Sequence, residues 1–186
     1  DVYWDPGRKY SVPWQWGTTA FTVNTAVYDG DIDTLAILFD PPEKLCGRIN
    51  MLNDMNDVIN AGLRYLGYGR CNGNKDNLKE VNDLLHKAKA CWRTMDYSTI
   101  EKITSGDVDV TQQWNGASMR ARLQVPTLKY AYPREGFTGW MDNVAVLADA
   151  PNLDNAKLFV DFIMDPENAA LISDFAKYAN GIAGSE

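Results

Sequence analysis

The chain has 186 residues, 45% of them hydrophobic and 23% charged. That is a globular balance, with length enough to bury a core that does not depend on disulfides. Its 25 acidic and 18 basic residues leave a net charge of -7, which argues against a nucleic-acid or anionic-membrane surface and leaves cationic ligands open. The single histidine, His86, excludes a multi-histidine metal site, and no stretch reaches the roughly 20 apolar residues of a membrane helix.

The chain opens Asp-Val-Tyr-Trp-Asp-Pro-Gly, with neither an initiator Met nor a secretory signal, as in a processed form or a fragment. Tyr10 to Gly17 reads as extended, with Pro13 and Gly17 as breaks, and Phe21-Thr-Val-Asn continues as a β-type run. Asp33 can cap a short helix through Phe39, stopped by Asp40-Pro-Pro. Arg48 to Leu52 reads as a strand. Asp54 then stands where an N-cap belongs, ahead of Val58, Ile59, Gly62, Leu63 and Leu66 at helical spacing, with Gly67 as the stop.

Lys75 to Lys89 is the cleanest amphipathic helix, with Leu78, Val81, Leu85 and Ala88 as its apolar stripe. A strand at 91–95 follows, and Ser98-Thr-Ile-Glu is a capping-box pattern opening a short helix. Strands are expected at 108–114, 128–132 and 140–147, with a helix from Asn115. Asn152 opens another helix with Ala156, Phe159, Val160 and Ile163 on one face, and Asp165-Pro-Glu restarts a helix with Pro166 in its first turn. This alternation implies an α/β domain with a largely parallel sheet flanked by helices. Of the three cysteines, Cys71 and Cys91 flank one helix and could close a loop, leaving Cys46 free; three thiols fit the spacing as well.

The sequence holds no G-x-G-x-x-G, G-x-x-x-x-G-K, G-x-S-x-G, H-E-x-x-H or C-x-x-C, so neither a nucleotide cofactor nor a recognised catalytic motif has support. Aromatic placement is more informative. Six tryptophans are present, and Trp114 and Trp140 both stand at strand-to-loop boundaries. Trp140 and Asp142 are two apart on one expected strand and share a face. An aromatic wall beside a carboxylate suits an alkylammonium ligand: a cation–π face, a surface for methylenes and a counter-ion. The bland reading of any one of these rings is core filling.

Several segments together resemble the spermidine/putrescine type of periplasmic substrate-binding protein of ABC transporters, within the type II periplasmic binding proteins. They are Tyr10-Ser-Val-Pro-Trp-Gln-Trp-Gly-Thr-Thr-Ala, Leu52-Asn-Asp-Met-Asn-Asp-Val-Ile, Ile103-Thr-Ser-Gly-Asp through Trp114-Asn-Gly, Pro133-Arg-Glu-Gly through Trp140-Met-Asp, and Phe162-Ile-Met-Asp-Pro-Glu with Tyr178-Ala-Asn. Their order and spacing carry the resemblance over nearly the whole chain. It implies a non-enzymatic, cofactor-free periplasmic receptor that closes an interlobe cleft on a small amine and delivers it to an ABC permease, without inserting in the membrane itself. It also implies an incomplete chain: residues 1–14 as hinge and first-lobe remnant, 15–126 as the ligand-binding lobe, and 127–186 as the return to the other lobe.

Carried over residue by residue, the resemblance makes Trp114 a cleft wall and makes Trp140 and Asp142 the holders of an aliphatic chain and an amine. It gives Asp54 and Asp57 a second amine, although Asp54 is equally an ordinary N-cap. Arg120 departs from a pure diamine site. Beside the cleft it would repel a diamine and suit a zwitterion such as γ-aminobutyrate or an opine; otherwise it is a solvent-facing arginine paired with a surface acid. Polyamine capture leads, the amino-acid-like ligand is its alternative, and an α/β enzyme or a ligand-sensing module are further alternatives.

Overall fold

The structure, a computed structural model, describes residues 2–185. Contacts divide the chain into two compact units: residues 18–138, and the segments up to Gly17 and from Gly139 onward. The division falls inside β1 (Val12–Asn24), so the two extended runs of the sequence form one 13-residue strand. Pro13 is its second residue, near the strand start, where a missing ladder donor is tolerated.

In the 18–138 unit the strands lie in the order β3 (Trp92–Met95), β2 (Ile49–Met51), β4 (Val110–Trp114), β1 and β5 (Leu128–Ala131). β2 is parallel to both β3 and β4, whereas β1 is antiparallel to β4 and to β5. The parallel pairs follow from their helical crossovers: α2 (Met55–Tyr65) and α3 (Lys75–Ala88) return the chain from β2 to β3, and α4 (Thr99–Thr104) returns it from β3 to β4. The expected parallel α/β sheet is present, with β1 as its reversed strand. β5, read from sequence as the start of the returning segment, pairs here with Phe21–Asn24 of β1.

The main core packs Phe21, Val23, Leu38, Phe39, Ile49, Met51 and Val110, and a second cluster holds Ile103, Val108, Ala121 and Leu128. Each such side chain is worth roughly 1.5–3 kcal/mol of burial. On α3, Val81 and Ala88 are buried but Leu78 is exposed, so the apolar stripe is narrower than its spacing suggests. The capping box at α4 does not form. Ser98 makes no side-chain cap, and its own N–H donates to Asp96 Oδ1 at 3.0 Å, which holds the turn instead. The Pro133-Arg-Glu-Gly segment ties down α1 (Ala36–Phe39). Glu135 accepts from the Thr34 hydroxyl and the Leu35 N–H, and Arg134 pairs with Asp31 at 2.6 Å.

The disulfide joins Cys46 and Cys91, and Cys71 is the free, exposed thiol. The Cys71–Cys91 pairing is thereby corrected. β2 and β3 are adjacent and parallel, with Ile49 opposite Trp92, so the residues just before each strand meet. Gly47 N–H already donates to Cys91 O at 2.8 Å. Cys71 sits instead in the α2–α3 loop with φ 57°.

In the other unit, β6 (Thr138–Val144) and β7 (Ala179–Asn180) pair with β1, the latter through Gln15 and Trp16. α6 (Leu153–Met164) is followed by α7 (Pro166–Ala176), whose Asp165 N-cap accepts from Glu167 N and Asn168 N, with Pro166 at its start. Of the expected α6 face only Ile163 is buried, and Phe159 is 61% exposed. No helix among the described residues is long and apolar enough to cross a membrane.

Candidate binding site

Strands β2, β3 and β4 run in the same direction, so their carboxyl ends deliver three consecutive loops to one edge of the sheet. That edge is where open α/β sheets bind ligands. The loops bring Asn53 and Asp54 after β2, Tyr97 after β3, and Trp114 at the junction of β4 with α5 (Asn115–Gln124).

Asp54 is the N-cap of α2, accepting from the Asp57 N–H at 2.9 Å. The cap directs the first helical turn so that Asp57 reaches Thr19 of β1, whose hydroxyl donates to Asp57 Oδ2 at 3.1 Å. Thr19 stands directly opposite Trp114 in the β1–β4 register. The Asn115 side chain accepts from Thr18 N–H at 2.9 Å, which pins the start of α5 to that register. Burial pushes the Asp57 carboxyl above its ordinary value. The Thr19 hydrogen bond opposes this, the negative charge of Asp54 adds to it, and the Trp114 indole and Arg64 oppose it. Asp57 forms no salt bridge among the described residues.

Behind Asp57 lies a cavity of about 10 Å³, room for about one water, lined in part by Thr19, Asp57, Arg64 and Gln112. Arg64 is seven residues after Asp57, two turns along α2, and its Nη1 donates to Thr138 Oγ1 at 3.1 Å. Burial lowers its pKa, as does neighbouring Arg70, while Asp57 raises it. Gly136, at φ 103°, lets the Arg64 stem pass: a Cβ there would stand 3.3 Å from Arg64 Cδ.

Of the residues expected from sequence, Asp54, Asp57 and Trp114 thus come together within the 18–138 unit. Trp140 and Asp142 belong to β6 in the other unit. There Trp140 meets Tyr178 edge-on at 5.2 Å, its indole nitrogen is buried without a hydrogen-bond partner, and Asp142 is exposed. Arg120 is half-buried on α5, its Nε is buried without a partner, and it makes no salt bridge among the described residues, so it is not the solvent-facing paired arginine. The arginine whose charge acts on Asp57 is Arg64. Sequence reasoning missed Arg64, Thr19 and Tyr97. The seven-residue spacing from Asp57 was a readable signal for Arg64; nothing local marks Tyr97. Among the described residues no group of His, Cys, Asp and Glu is arranged to hold a metal ion.

A carboxylate thus stands beside an indole at the carboxyl edge of the sheet, and comparison with known proteins says which family carries this fold. Residues 2–186 match the family of bacterial extracellular solute-binding proteins, and the chain belongs to it. It is 30% identical to the putrescine-binding periplasmic protein SpuD of Pseudomonas aeruginosa over 97% of this chain and 54% of that protein. It is 29% identical to the spermidine/putrescine-binding periplasmic protein of Escherichia coli over 94% of this chain and 50% of that one. A solved ABC-transporter chain from Listeria monocytogenes superposes with a TM-score of 0.92 at 29% identity, covering all of this chain and 57% of its own length. The chain therefore spans about half the length of the curated relatives it matches.

Proposed function

We propose that this chain is the ligand-binding part of a receptor, acting outside the cytoplasmic membrane, that captures a small polyamine of the putrescine or spermidine class and hands it to an ABC permease. The observation that carries this reading is Asp57, a partly buried carboxylate that makes no salt bridge among the described residues, held between the Thr19 hydroxyl and the Trp114 indole. Burial has already removed part of its hydration, so an ammonium supplies the missing counter-ion in a medium where a charge-assisted hydrogen bond is strong. The indole offers a cation–π face and a surface for the ligand's methylenes. Asp54 shapes the turn and adds negative potential. Trp140 and Asp142 are proposed as a second aromatic and carboxylate pair for the same class of ligand. The Cys46–Cys91 disulfide suits an oxidising compartment, and the names of the relatives favour polyamines over an amino-acid-like solute.

The test is calorimetry on the full-length protein with putrescine, cadaverine, spermidine, agmatine and γ-aminobutyrate. A polyamine is expected to bind at least about tenfold more tightly than γ-aminobutyrate. The reverse order would replace the polyamine reading with the zwitterion one.

A further inference from the structure

Tyr97, two residues beyond β3, touches both parts of the candidate site in the 18–138 unit. Its ring lies nearly parallel to the Trp114 indole, 9° between planes and 6.0 Å between centroids, an offset stack. Its hydroxyl donates to the carbonyl oxygen of Asn53 at 2.6 Å. Asn53 immediately precedes Asp54, whose carboxylate organises the turn that aims Asp57. One side chain therefore links the aromatic wall to the acidic turn, joining loops that follow three different strands.

Burial does not account for this placement, since Tyr97 is 53% exposed. An exposed tyrosine gains little from one fixed rotamer unless both of its ends are engaged, as they are here. Trp114 is itself only partly buried, so no enclosing core sets its ring plane. Its hydrogen bond to Asp57 holds the indole nitrogen, and the stack on Tyr97 holds the face.

We propose that Tyr97 is a positioning residue of the ligand-binding wall. It fixes the plane of Trp114 by stacking, fixes the Asn53–Asp54 turn by its hydroxyl, and acts on affinity through Trp114. This rests on the reading of Trp114 and Asp57 as ligand groups.

The experiment compares Tyr97→Ala, Tyr97→Phe, Trp114→Ala and the Tyr97→Ala/Trp114→Ala double variant in the full-length protein. Binding of putrescine and of spermidine is measured by calorimetry. The indole N–H resonance of Trp114, assigned by its loss in Trp114→Ala, is followed without ligand. Tyr97→Ala is expected to weaken binding about tenfold with Trp114 present and less than about twofold in the Trp114→Ala background, a coupling usual for residues in contact. Tyr97→Phe keeps the stack, so binding stays within about threefold and the indole resonance stays near its original position, whereas Tyr97→Ala shifts it. An unshifted resonance in Tyr97→Ala, or an equal loss of binding in both backgrounds, overturns the proposal. If neither polyamine binds the unmodified protein, the functional reading fails, and the indole resonance alone then decides whether Tyr97 orients Trp114.

Discussion

The two compact units solve the problem of apolar side chains in opposite ways. The 18–138 unit encloses Phe21, Leu38, Phe39, Ile49 and Met51 at 1% exposure or less. In the other unit the buried hydrophobic residues are Ile163 and Ala169, while Leu158, Phe159, Phe162, Leu171 and Phe175 all stand at least 60% exposed. Helices α6 and α7 are well formed, and Asp165 caps α7, yet most of their large apolar side chains face water. Capping and propensity are local and hold whatever surrounds a helix; burial needs a partner surface. The proposed binding groups divide likewise: Asp57 is partly buried among hydrogen-bond partners, and Asp142 is exposed.

The sharpest way to break this contrast is the disulfide, whose two cysteines both lie in the 18–138 unit. Cys46→Ala/Cys91→Ala opens a link between residues 45 apart, which on the chain-entropy account costs about 4 kcal/mol. Hydrogen exchange should show amides of β2 and β4 losing protection while those of α7 keep theirs. Next in size is Asp57→Ala, expected to weaken putrescine binding to the full-length protein by about 2–5 kcal/mol, the cost of losing one partner of a desolvated charge pair. Asp142→Ala at an exposed position should cost about 0.2–1 kcal/mol in the same titration; equal losses would erase the distinction. Smallest is Phe159→Ser on α6, which should change unfolding stability by no more than about 0.5 kcal/mol. It should also reduce self-association of the 186-residue chain, read by light scattering, because it removes part of an exposed apolar face.

Acidity bears on the Asp57 carboxylate in two opposite ways. The Asp57 carboxyl is raised by burial, so between the unfolded and the folded value the native state holds a proton that the unfolded chain releases. Stability of the ligand-free protein therefore falls as pH rises through that window, and the penalty persists above it. Asp57→Asn should raise the neutral-pH Tm of the ligand-free protein while abolishing tight binding. Polyamine affinity should run the other way, weakening as pH falls through the raised Asp57 range, because only the ionised carboxylate holds the ammonium. Calorimetry across that range, with Asp57→Asn as control, checks the sign.

Much of this was legible from residue order. Asp54 and Asp165 are caps where their spacing from the following helices placed them, and Asp165-Pro166 restarts a helix as expected. Local chemistry decides such features, so a local reading finds them. Cysteine pairing was not legible, since it depends on the β2–β3 register, which joins segments more than 40 residues apart. The single long β1 was obscured by Pro13 and Gly17, which the sheet accommodates. Arg64, whose charge reaches Asp57, was not singled out, because it lies two turns further along α2 from the acidic turn. Tyr97 could not be found from sequence at all, because its two partners, Asn53 and Trp114, come from loops that only the strand order brings side by side.

The placement of Asp54, Asp57, Tyr97 and Trp114 at or beyond the ends of strands also governs how such a protein can change over generations. Within the strands, Asn50 donates to the Thr111 hydroxyl and accepts from that of Thr94, and Gln113 donates to Thr22, so replacing any of them leaves a buried polar group unpaired. Those positions are under selection for folding. On the proposed function the residues at the strand tips answer mainly to the ligand, and a substitution there can be sampled without unfolding the sheet beneath it. A lineage carrying this scaffold can therefore drift from one small solute to another through a few exchanges at the tips, while the strands that hold them stay nearly unchanged.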